Sequence, residues 1–139
     1  MDCRPLEITV FSANDIKGVN MFSKMDVYAV VSVSGNGVRK QKLRTPIHKD
    51  ADTNPKWNHT LKFTLDNSVL DRLQIKIKLI CDRTFGETKI GKVVVLVKDL
   101  LQNEKNDKHV TYPVITAKGR PKGNEMRTTM ATESQMMEA

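Results

Sequence analysis

Bases rather than catalytic groups are the residues here whose type and spacing could do chemistry. Lys40, Lys42 and Arg44 recur every second residue in Val38 to Thr45, so in an extended chain all three project from one face. Lys76 and Lys78 repeat that spacing further on, between Ile75, Ile77 and Leu79. A face of four or five bases suits an anionic surface, since each Lys or Arg near an anionic leaflet is worth about 1 kcal/mol. The alternative for the same residues is a solvated strand face with no ligand.

Catalytic constellations are absent from the sequence. His48, His59 and His109 are scattered, without a nucleophile elbow, an HExxH pair or a glycine-rich phosphate loop, and the expectation is no enzyme. Cys3 and Cys81 are spaced for neither a zinc knuckle nor a redox pair, which points to reduced, structural thiols. Nucleic acid is not expected as a partner, because Arg39 to Arg44 contains no aromatic residue on which bases could stack.

The elements that must position the bases are strands. Leu6, Ile8 and Val10 alternate with Glu7 and Thr9, and Val27 to Val33 is β-branched and ends in the turn residues Ser34-Gly35-Asn36-Gly37. On the basic segment itself, Leu43 and Thr45 are expected to face away from the bases. Leu61, Phe63 and Leu65 alternate with Lys62 and Thr64, and further strands are expected over Leu73 to Leu79, Ile90 to Val97 and Val110 to Val114, with a short helix around Lys98 to Gln102. Short strands separated by Gly, Asn, Asp and Pro predict an all-β antiparallel sandwich.

The chain has 139 residues and a net charge of +7, one domain's worth of sequence with a general attraction to polyanions. Its start lacks the apolar core of a signal peptide, and Val93 to Val97 is too short to span a bilayer. The expected location is cytoplasmic, peripheral to a membrane.

Several segments together carry a family resemblance: Leu6 to Val10, Ser12-Ala13-Asn14-Asp15-Ile16, Lys24-Met25-Asp26-Val27-Tyr28-Ala29-Val30, Thr53-Asn54-Pro55-Lys56-Trp57-Asn58 and Lys89-Ile90-Gly91. In that order they resemble a C2 domain, most of all the small plant C2 proteins of the cold-regulated type. The resemblance implies an eight-stranded sandwich with three loops at one end forming a site for calcium and membrane. It also implies roles in plant stress or defence signalling or membrane traffic, through recruitment of a protein partner; the competing expectation is a protein-interaction adaptor without lipid affinity.

Matched to the family pattern, the metal positions fall on Asn20, Asp26, Ile80, Asp82 and Thr88, with Glu87 beside the last. Calcium takes six to eight oxygen ligands, so two acids and an apolar Ile80 predict weak calcium binding or none. Asp26 is either a weak ligand or an acceptor that fixes a loop. Met21 and Phe22 in the first loop and Phe85 in the third are apolar tips that either dip into the lipid interface or fold back on their neighbours.

The domain is expected to occupy residues 1–123. Residues 124–139 form a tail, either a weak last strand lined by Met126, Thr128 and Met130 or no strand at all, which would leave a sheet edge open.

Overall fold

The computed structural model describes residues 2–18, 23–103, 110–116 and 127–134. Two antiparallel sheets face one another. Their strands are β1 (Cys3–Asn14), β2 (Asp26–Gly35), β3 (Val38–Arg44), β4 (Lys56–Asp66), β5 (Gln74–Arg83), β6 (Gly86–Leu96), β7 (Val110–Pro113), β8 (Ile115–Thr116) and β9 (Arg127–Ser134). One sheet runs β4-β1-β9-β7 and the other β3-β2-β5-β6-β8. A short helix, α1 (Val97–Asn103), follows β6 where the sequence predicts one.

The core lies between the sheets because alternation puts every second side chain there. Leu6, Ile8 and Val10 of β1 meet Leu61, Phe63 and Leu65 of β4 on one side. Val27, Ala29, Val31 and Val33 of β2 pair with Cys81, Leu79, Ile77 and Ile75 of β5 on the other. These residues are 5% exposed or less. Among the described residues no helix is long and apolar enough to cross a membrane.

The last strands explain how the sandwich closes. Val110 to Thr116 changes sheets at the buried Val114: β7 pairs with β9, whereas β8 pairs with β6 at Gly91 and Lys92. The segment counts as one strand that turns a corner, which brings the architecture to the expected eight. Within the tail Arg127–Ser134 is a strand, lying between β1 and β7, and Met126 lies outside the described residues. Its sequence offers little apolar alternation, but its backbone groups find partners on both sides.

Leu43 departs from expectation. It does share the inward direction of Thr45, yet it is 40% exposed while Thr45 is 1% exposed. The cause is that β3 is an edge strand, covered on its inner side where the Gln41 amide reaches across to β4. There the Gln41 side chain donates to the Thr64 carbonyl and accepts from the Thr64 N–H at 3.0 Å. That contact also occupies outward backbone groups of β4, which would otherwise invite another strand.

Gly91 is where β8 comes down on β6. A Cβ there would sit 2.6 Å from Val114 Cγ1 and 2.9 Å from the Ile115 carbonyl. Gly91→Ala is therefore expected to lose about 1–3 kcal/mol of stability by overpacking, read from urea denaturation; an unchanged midpoint would mean that β8 does not pack on this glycine.

Candidate functional site

The outward side of the five-stranded sheet gathers the bases, and the pairing register specifies how. Residues opposite one another in a ladder point to the same face. Ser32 of β2 stands between Lys42 of β3 and Lys76 of β5; Val30 stands between Arg44 and Lys78. Lys42, Arg44, Lys76 and Lys78 therefore share one face, and Lys40 joins them two residues along β3. The charge is dense enough to act on itself. Lys78 is held below the usual lysine range, first by the charge of Lys89, then by partial desolvation, then by Lys76, Lys40 and Lys42.

Lys89 and Lys92 are members of this face that periodicity does not reveal. Three residues apart, they would lie on opposite faces of a regular strand. The ladder instead pairs Ile80 with Lys89 and Leu79 with Gly91, leaving Ile90 as an extra residue in β6. This bulge restores the outward direction, so Lys89 stands opposite Ile80 and Lys92 opposite Lys78. Val94 and Leu96, at 43% and 42% exposed, continue the same face with apolar groups.

Beside the bases lies a small apolar floor of Tyr28, Val30 and Ile80, with Ile47 packed against it. It lines a recess of about 370 Å³ together with Lys42, Leu43, Arg44 and Glu87. The Arg44 guanidinium lies 5.1 Å from the centre of the Tyr28 ring, a cation–π distance. Tyr28 donates its hydroxyl to Glu87 Oε1. Burial, then that hydrogen bond and the Glu87 charge, push the phenol up to about 12.

At the loop end of the sheet Asp26 and Asp82 face each other across β2 and β5. With Ser23, Arg83 and Thr84 they line a recess of about 380 Å³. Asp26 Oδ1 accepts from the Asp50 N–H at 2.8 Å, so this carboxylate fixes a loop. Ile80 belongs to the apolar floor, Glu87 is engaged by Tyr28, and Thr88 pairs with Cys81, whose side chain points into the core. Among the described residues no three His, Cys, Asp or Glu side chains assemble as a metal cluster. Asn20, Met21 and Phe22 lie outside the described residues. Phe85, at the tip of the β5–β6 hairpin, is 98% exposed; Gly86, at φ 111°, supplies the backbone angle that closes this turn.

The Asn-Pro-Lys-Trp motif ties these loops together. The Pro55 and Thr53 carbonyls accept from the N–H groups of Ala13 and Ile16, each at 3.0 Å, and Asn54 Oδ1 accepts from Asp15 N–H at 3.1 Å. Lys56 N–H donates to His48 Nδ1 at 2.9 Å, and Trp57 Nε1–H donates to the Val27 carbonyl at 3.1 Å. The motif is an anchor for the loops rather than part of a reactive site, and His48 is used up in it.

Two facing antiparallel sheets, a basic outer face and three loop segments gathered at one end define the class of protein. The profile of the C2 domain matches residues 4–113, and the chain belongs to the C2 domain family. It is 46% identical over 129 residues to Protein SRC2 of Glycine max, covering 89% of this chain and 44% of that protein. To the Protein SRC2 homolog of Arabidopsis thaliana it is 42% identical over 129 residues, covering 89% of this chain and 39% of the other. The chain thus spans less than half the length of these relatives. Its fold is that of a C2 domain from plant Extended Synaptotagmin 1, with a TM-score of 0.79 at 14% identity over 100% of this chain and 99% of the other.

The Tyr28–Glu87 bond has a measurable signature. Because burial first, and then the Glu87 bond and charge, raise the folded-state value from an ordinary 10.0 to about 12, the contribution of the neutral phenol is complete below pH 10 and fades as pH climbs toward 12. Ultraviolet phenolate titration should find an ionisation near 12 that Tyr28→Phe removes and Glu87→Gln moves down. A Tyr28 that ionises at its ordinary value would mean that the bond does not form.

Proposed function

We propose that this chain is a binding module, not a catalyst, which docks reversibly on anionic phospholipid surfaces through the outer face of its five-stranded sheet. What carries the reading is the convergence of Lys40, Lys42, Arg44, Lys76 and Lys78, from two strands of that sheet, on one face. Four or five such charges at about 1 kcal/mol each exceed what one shallow apolar anchor contributes. Phe85 adds such an anchor at the hairpin tip, and Met21 and Phe22 are assigned the same role from the sequence.

Charge rather than metal is the switch in this reading. Asp26 spends an oxygen on the Asp50 backbone and Ile80 offers none, so no step of docking is assigned to calcium. Such docking is cytoplasmic and peripheral. It places the chain where it can recruit a protein partner in plant stress or defence signalling or in membrane traffic, the roles that the family resemblance implies.

Co-sedimentation with phosphatidylserine vesicles tests the proposal. The chain should pellet at low salt, with or without a calcium chelator, and should be released as salt shortens the Debye length. The triple substitution Lys40→Ala/Lys42→Ala/Arg44→Ala should weaken partitioning by at least about tenfold. A wild-type chain that stays in the supernatant at low salt overturns the membrane reading. Pelleting that requires calcium overturns the assignment of the switch.

A further inference from the structure

Each sheet ends in two edge strands, and the four edges are closed unequally. β8 has two residues, and β7 has four that end in Pro113, which has no N–H to offer. β4 is long, with 11 residues, but at Thr64 the Gln41 amide already occupies both its N–H and its carbonyl. β3, with seven residues, pairs with β2 on one side, and among the described residues no strand pairs with it on the other. Its inner side is also unfinished. Leu43 stands opposite the buried Val31 and so points toward the core, yet it is 40% exposed.

We propose that the free edge of β3 accepts an extended segment of a partner protein in which acidic and aliphatic residues alternate. The segment adds to the five-stranded sheet beside β3. Its main-chain groups bond to the open edge and supply affinity, while alternate side chains supply specificity. On the inner side an aliphatic residue covers Leu43. On the outer side acids stand against Lys40, Lys42 and Arg44. Lysines on an edge ordinarily keep further strands away. They do so selectively, because like charges directly opposite destabilise a pair of strands and opposite charges stabilise it. The edge is thus closed to basic segments and open to acidic ones. This inference goes beyond docking on lipid, but it draws on the same bases, so a seated segment and an anionic surface compete for them.

The whole chain, isotopically labelled, is titrated with an acetylated and amidated peptide of alternating Glu and Val, as long as β3, and followed by amide chemical shifts. Two control peptides keep its charge. One has the same residues with Glu and Val in separate blocks; the other is N-methylated at every residue and donates no main-chain hydrogen bond. The alternating peptide should give saturable shifts centred on Val38 to Arg44, and each control should bind at least about tenfold more weakly. Leu43→Ser and Lys42→Ala should each cost at least about threefold in affinity for the alternating peptide, and Lys62→Ala on β4 under about twofold.

Equal affinity for the three peptides means attraction by charge alone and overturns the proposal. So do an affinity that Leu43→Ser leaves unchanged and shifts centred on β4 instead of β3. Sedimentation of the wild-type chain with phosphatidylserine vesicles separates this failure from failure of the membrane reading. If vesicles bind and the alternating peptide does not outdo its controls, the edge proposal falls and lipid docking stands. If the peptide binds as expected while vesicles at low salt do not, the edge proposal stands and lipid docking falls.

Discussion

The register between β2 and β5 is the constraint on which the rest of the molecule depends. Val31 opposite Ile77 puts aliphatic residues on one side, while Ser32 opposite Lys76 and Val30 opposite Lys78 put the lysines of β5 on the other. Because side chains alternate, a slip of one residue would carry Lys76 and Lys78 into the core and expose Ile75 and Ile77. Burying an unpaired ammonium is prohibitive, so the pairing that makes the core also makes the basic face. One set of backbone hydrogen bonds fixes both.

A second layer of organisation departs from strict alternation. β2 is buried on both faces for most of its length, because Tyr28 and Val30 on the outer side are roofed by Arg44, Ile47 and Ile80. That floor covers the β3 side of the face and, through Tyr28, ties up Glu87. The bulge at Ile90 does the opposite on the other side, opening a recess and turning two lysines into it. The sheet thus carries an apolar, partly acidic recess next to an almost purely cationic one.

Much of this was legible in the residues. Alternation on β1, on β4 and on β5 as far as Leu79 is clean because each has one wet and one buried side, and Lys40, Lys42, Arg44, Lys76 and Lys78 are found by counting in twos. Lys89 and Lys92 escape the same count because a bulge changes parity locally, and the only hint is the Ile-Gly pair between them. Leu43 escapes because edge position, not pattern, decides how much cover an inward side chain receives. Arg127–Ser134 has scant apolar periodicity; it is a strand because β1 and β7 leave a slot whose backbone groups need partners. The weak acid content at the family-matched metal positions was plain from the sequence, but the engagement of Asp26 by Asp50 and of Glu87 by Tyr28 required the folded geometry.

Docking as proposed brings the outer face of the five-stranded sheet against the anionic surface. Lysine footprinting by acylation and mass spectrometry, with and without phosphatidylserine vesicles, addresses it most directly because lysines lie on both sheets. Docking through this face should selectively protect Lys40, Lys42, Lys76, Lys78 and Lys92, with Lys62, which lies beside Glu7 at 3.7 Å on the opposite sheet, labelled as before. Protection of Lys62 with continued labelling of Lys76 and Lys78, or equal protection everywhere, would contradict it.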